Sequence, residues 1–192
     1  MLLDFALGIF SAIFLGWMFN FNPGFWYFFA GSLMTILPDS DFVFYFFKRR
    51  KDKDKKNDHD HRDFIHYPLI YLPIGSLIFY LLGGEKWAML FFLCSFLHFL
   101  HDSIALGWGI KWLYPFSKNN FAFFYLYSRK ERRGLRKLMF SFNKEKLAHY
   151  VAEHGDDDWI KNIYYNWHPI AIVEFLIFIL SLVVIFLYAA RT

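Results

Sequence analysis

The chain has 192 residues, of which 57% are hydrophobic and 24% aromatic, and phenylalanine alone contributes 27 of them. That is far more apolar than a water-soluble domain of this length, so the composition argues against a soluble enzyme and for one integral membrane domain. The formal charge of +4 gathers in two basic blocks, 48–62 and 129–146, and the single Cys94 excludes an intrachain disulfide.

A spanning helix needs about 20 mostly apolar residues. In chain order the candidates are 2–19, 25–47, 68–82, 87–106 and 170–190, the second interrupted by Pro38 and two aspartates. The first begins Met1-Leu2-Leu3-Asp4 with no cationic stretch before it, and reads as a retained anchor rather than a signal peptide. Asn20-Phe21-Asn22-Pro23-Gly24 is a turn, and Gly83-Gly84-Glu85-Lys86 does the same between the third and fourth segments. The expected fold class is therefore all-α, a polytopic helical membrane protein with about five membrane segments and a small cytoplasmic helical region. The expected domains are a membrane-embedded part, 1–128, a basic and amphipathic helical region, 129–167, and a C-terminal transmembrane helix, 168–192. A helix is expected from an N-cap at Asn143 to a stop at Gly155, with His149 and His154 on its surface.

Both basic blocks follow even-numbered segments, so both fall on one side of the membrane, and the positive-inside rule makes that side the cytoplasm. The polar residues of the apolar segments then meet. Asp39 and Asp41 fall at the inner end of the second segment, His61 and His66 lead into the third, and His98, His101 and Asp102 lie at the inner end of the fourth. Asp4 and His168 belong to the same level. Ionisable groups at such depth are costly and usually mark a functional site.

The chemistry follows from residue type and spacing. His98 shares a helix face with His101 and Asp102, three and four residues on, as paired ligands do in helical metal sites. The bland alternative is polar glue, a hydrogen bond from His98 or Asp102 to a neighbouring helix. Pro38 loosens the backbone beside Asp39 and Asp41, and two carboxylates so close repel unless a cation or proton lies between them. The alternative there is simply a helix leaving the bilayer. In His61-Arg62-Asp63-Phe64-Ile65-His66 the imidazoles suit a transition metal and Arg62 suits a phosphate or carboxylate, although a lone interfacial arginine also serves to snorkel. Gly107 to Ser117, rich in Trp and Tyr, reads equally as an interfacial anchor and as a substrate-gripping loop.

Taken in order, Leu37-Pro38-Asp39-x-Asp41, His61-Arg62-x-x-x-His66, His98-x-x-x-Asp102 and Gly109 followed by Tyr114-Pro115-Phe116-Ser117 resemble a known family over roughly residues 1 to 120. It is the family of bacterial and archaeal inner-membrane-associated metal-dependent hydrolases, one member of which is described as LexA-binding. The resemblance implies a helical membrane protein with a metal site at Asp39, Asp41, His61, His66, His98 and Asp102. This chain has Asp4 where members often carry a histidine, Ile65-His66-Tyr67 where Thr-His-Ser is common, and His101 at a usually apolar position. Asp4 is thereby a candidate seventh ligand.

The resulting expectation is hydrolysis of a phosphoester or other ester in a membrane lipid or membrane-proximal phosphorylated substrate. One or two divalent ions, zinc or manganese, would be held by these ligands, with His101 as general base and Arg62 stabilising negative charge. The expected location is the inner membrane, multi-pass, with the site facing the cytoplasm and no direct contact with nucleic acid. Two other classes stand beside it: a non-catalytic metal-binding carrier or sensor, and a scaffold whose region 129–167 binds a cytoplasmic protein. Within the enzymes, His66, His101-Asp102 and Asp156-Asp157-Asp158 also imitate the ligand order of HD-type phosphohydrolases, a soluble fold. Glu174 in the last segment has no role in any of these readings.

Overall fold

A computed structural model describes residues 2–40, 65–106, 108–131 and 133–190. Asp41, His61 and Arg62, three of the expected site residues, lie outside the described residues. The described chain is mostly helical: α1 (Leu2–Met18), α2 (Phe25–Ile36), α3 (Pro68–Gly83), α4 (Glu85–Asp102), α5 (Lys144–His154) and α6 (Pro169–Ala189), with one antiparallel hairpin of β1 (Asn120–Leu126) and β2 (Leu135–Phe142).

The helices are cut where the sequence marks turns. Pro23 and Gly24 separate α1 from α2, and Gly84, at φ 82°, separates α3 from α4. After Ile36 the chain tightens into a 3-10 turn, Leu37–Asp39, because Pro38 brings no amide hydrogen to an α-helical ladder. Pro68 opens α3, where the missing amide costs nothing.

α1 is the centre of the bundle and packs against α2, α4 and α6, while α2 also packs on α4 and α3 forms an antiparallel pair with α4. The α1–α2 crossing is as close as two backbones allow. A methyl on Gly8 would come within 2.5 Å of the Ser32 nitrogen, and one on Gly31 within 2.7 Å of the Gly8 carbonyl oxygen. Small residues are what permit helices to meet in this way, backbone against backbone. The core between these helices is Ala12, Leu15, Phe28, Leu90, Phe91 and Cys94.

The outward faces are apolar. α3 exposes Ile74, Leu77, Leu81 and Leu82, and α6 exposes Val173, Leu176, Leu180 and Phe186. Surface of this kind is unlike that of a soluble monomer. Among the described helices, α6, with 21 residues, is the one both long and apolar enough to cross a membrane by itself; α1 and α3, with 17 and 16 residues, are apolar but shorter.

The hairpin corrects the all-helical expectation. β1 reads Asn-Phe-Ala-Phe-Phe-Tyr-Leu, aromatic residues that fit a pleated surface better than a helix, and Gly134 at φ 64° closes the turn into β2. A bulge falls between Phe123 and Phe124. The inner face, Ala122, Leu126, Phe140 and Phe142, packs on Leu147 and Tyr150 of α5. The hairpin thus runs across residues 128 and 129, and it joins the bundle through bridges from Ala105 to Leu126 and from Ile110 to Phe121.

α5 matches its expected limits: the Asn143 side chain accepts from the Lys146 amide at 2.9 Å, and the helix stops at Gly155. His149 is exposed as expected, but His154 is buried, corrected by a 3.0 Å contact between its Nδ1 and Ser128 Oγ. Further on, Asp156 ties the connector to the hairpin by accepting from Tyr127 Oη at 2.7 Å and from Asn162 Nδ2 at 2.8 Å. Burial alone would raise Asp156, but these bonds and the Asp158 amide outweigh it and hold the carboxyl below its ordinary range. Tyr127 is pushed up to about 12, by burial first and by Asp156 second.

Candidate metal centre

Three chain segments bring four donors to one end of the bundle. Asp39 closes the 3-10 turn after α2, His66 stands two residues before α3, and His98 and Asp102 lie one turn apart at the end of α4. One side-chain donor atom from each of Asp39, His66, His98 and Asp102 lies within 4.8 Å of all the others. His66 Nε2 is 3.1 Å from Asp102 Oδ2 and 3.7 Å from Asp39 Oδ1. His98 Nε2 is 3.5 Å from Asp39 Oδ1 and 3.7 Å from Asp102 Oδ2.

These separations suit a divalent ion. Ligands at about 2.1 Å in tetrahedral array stand about 3.4 Å apart, and the four spacings bracket that value. His98 Nε2 is buried and makes no hydrogen bond among the described residues, although it faces two carboxylates. Two imidazoles and two carboxylates are a donor set of the zinc and manganese type rather than an all-oxygen calcium site. The C-terminal ends of α2 and α4 point here as well, and the negative end of a helix dipole favours a cation. Both imidazoles are sealed from solvent, Asp102 is mostly buried, and the Asp39 side chain is 37% exposed, so the cluster opens to its surroundings beside Asp39.

Local structure fixes the walls. Ser103 Oγ donates to the Phe99 carbonyl at 2.8 Å and accepts from Trp112 Nε1 at 2.7 Å, which pins the 108–117 segment under the end of α4. Trp112 packs with Leu72, Phe99 and Ile110. Next to His66, Tyr67 stacks on Tyr114 with ring centroids 4.2 Å apart. The segment therefore forms part of the fold beside the cluster, while Phe116 is almost fully exposed.

Asp4, His101 and His168 occupy other places. Asp4 Oδ1 lies 3.2 Å from His98 Nδ1, on the ring edge away from the cluster, and 3.2 Å from His101 Nδ1. The other nitrogen of His101 is 3.6 Å from Glu174 Oε1. His168 Nδ1 accepts from the Ile170 amide at 3.3 Å and so caps the start of α6. Glu174, which the sequence left without a role, is 3% exposed and accepts a hydrogen bond from Tyr164 Oη at 3.0 Å. Its position six residues into the last segment, on the inner side of the expected topology, was the signal that could have placed it at this level.

A predominantly helical protein with an apolar helix able to cross a membrane, and with a buried His and Asp cluster able to hold a divalent ion, is the class that fold and site define. The chain belongs to the YdjM inner membrane protein family, whose model matches residues 4–192. The resemblance seen in the first 120 residues thus extends over nearly the whole chain. No curated protein and no solved structure matches it.

Proposed function

We propose that this protein is a multi-pass metal-dependent hydrolase of the inner membrane, acting on a phosphoester or related ester at the cytoplasmic headgroup plane. The observation that carries the reading is the convergence of Asp39, His66, His98 and Asp102, four donors within 4.8 Å at one end of an apolar bundle. A zinc or manganese ion bound there would lower the pKa of a water molecule and polarise the scissile group.

The chain's own residues supply the rest. His66, His98 and Asp102 hold the ion from the buried side, and the partly exposed Asp39 faces the side from which water and substrate arrive. Asp39 is therefore the group placed to accept a proton from attacking water, a part the sequence suggested for His101. Arg62, Asp41 and His61 lie outside the described residues, and their part in this site rests on the sequence alone. The basic residues of the hairpin and α5 favour an anionic substrate such as a phosphorylated lipid.

Five membrane segments fit this reading. A 17-residue helix rises about 26 Å, close to the hydrocarbon thickness, and the apolar outer faces of α1, α3 and α6 suit lipid contact. Reporter fusions at Asn22 and Asn143 test the topology: the first should report outside and the second inside, and the same answer from both would sink it.

Metal analysis by plasma mass spectrometry on the detergent-purified protein tests the centre, beside a His98→Ala, Asp102→Ala double variant. Near-stoichiometric metal in the wild type and its loss in the variant are expected, followed by ester hydrolysis in a panel of phosphoesters and phospholipids with that ion. Metal in neither protein would reject the centre; tight metal with no turnover would favour a carrier or sensor.

A further inference from the structure

Behind the proposed centre runs a second line of buried polar groups that the hydrolytic reading does not use. It passes from His98 to Asp4, from Asp4 to His101, from His101 to Glu174 and from Glu174 to Tyr164. α1, α4, α6 and the turn before α6 each contribute. Asp4 and Glu174 are 2% and 3% exposed, and carboxylates at such depth are tolerated only when paired and hydrogen-bonded.

The direction of the His98 ring gives this line a purpose. Its Nδ1 faces Asp4 Oδ1 at 3.2 Å, while its Nε2, on the far edge of the ring, faces Asp39 and Asp102. A neutral imidazole has one N–H and one lone pair, so an acceptor on Nδ1 leaves the lone pair on Nε2. Asp4 is held in turn by His101, whose two nitrogens face Asp4 and Glu174 and not the cluster.

We infer that Asp4 is a positioning residue for His98, fixing the tautomer and ring angle that aim Nε2 into the centre, and that His101 with Glu174 keeps Asp4 in place. This rests on the proposed metal centre and concerns how tightly it binds. It differs from a ligand role for Asp4, because a carboxylate on Nδ1 sits on the side of the ring away from the other three donors. Loss of such an outer partner typically lowers metal affinity about 10- to 100-fold without removing a ligand.

The test uses the full chain in detergent, as wild type, Asp4→Ala and the isosteric Asp4→Asn, with Asp4→Asn carrying the measurement if the alanine variant does not fold. Zinc affinity is measured by competition with a chromophoric chelator, and the visible spectrum of the cobalt-loaded protein reports the ligand set. The expected result is a zinc Kd raised 10- to 100-fold in Asp4→Ala, less in Asp4→Asn, with stoichiometry at saturation and the cobalt bands unchanged. An unchanged Kd in both variants overturns the inference and leaves the centre standing. A cobalt spectrum of altered coordination overturns it in favour of a direct ligand. No binding of either metal by the wild type overturns the centre and the inference together.

Discussion

The two ends of the helical bundle are built from the same helices and closed in opposite ways. At one end Asp4, His66, His98, Asp102 and Glu174 are buried or nearly so, with His101 close beside them. At the other, Tyr188 Oη donates to Asn22, Tyr27 Oη donates to the Lys86 carbonyl at 2.8 Å, and the Lys86 ammonium lies over the Phe21 ring at 4.2 Å. The second end shows that turns, phenols and ring packing suffice to close this bundle. Burying charge is expensive and is a poor way to gain stability, so the first end has the character of a site that could hold an ion rather than of a structural closure.

The comparison breaks most directly if the polar end proves structural. Replacing His98 and Asp102 together by alanine should lower metal affinity more than 100-fold, while the metal-free variant melts within a few degrees of metal-free wild type in scanning fluorimetry. A collapse of the metal-free fold would make the cluster helix glue. Next in size is the effect of the ion itself. Metal at about 1,000 times its Kd should stabilise the wild type by about 4 kcal/mol. Hydrogen exchange should then slow at the start of α1 and the end of α4, and not around Asn22 and Tyr188; uniform slowing would erase the distinction between the ends. At the quiet end, Tyr188→Phe removes one hydrogen bond and should cost about 1 kcal/mol or less, with metal affinity unchanged.

The smallest effect lies outside the bundle and serves as a control. Asp156 has a folded pKa below its ordinary value of 3.8, so its bonds to Tyr127 and Asn162 contribute fully above that pH and fade as the pH falls through the lower folded value. Melting between pH 6 and pH 3 should therefore show a slight loss that is absent in Asp156→Asn. Because the carboxyl is only partly buried, the loss should be small beside the metal effect. A steep loss that persists in the variant would assign the acid sensitivity elsewhere.

How much of this was legible in the sequence depended on what kind of fact was being sought. The gathering of Asp39, His66, His98 and Asp102 was readable, because which end of a helix a residue occupies follows from turn positions and topology alone. Which face a residue occupies does not. α1, α3 and α6 are apolar nearly all round, so periodicity cannot say which side turns inward. That is why Asp4 was grouped with the cluster although its carboxylate faces the Nδ1 edge of His98, and why Glu174 had no partner until it was seen beside His101 and Tyr164. The hairpin was missed for a related reason. Phe121 to Leu126 is an unbroken apolar run, which gives no alternation, and Arg136-Lys137 inside β2 read as part of a basic block. The aromatic run bounded by Asn119-Asn120 and Ser128, with Gly134 beyond, was the available strand signal.

The contact of Gly8 with Gly31 has a consequence for how this family member tolerates change. Gly8 lies one helical turn after Asp4 on the same face of α1, so the crossing acts as an index pin that sets the clock angle of the whole helix. A single added methyl there must push the two backbones apart, and the rotation or shift of α1 carries Asp4 off the His98 ring. A substitution at the α1–α2 crossing, at a residue with no side chain at all, would thus disturb the His and Asp cluster from more than 5 Å along the helix.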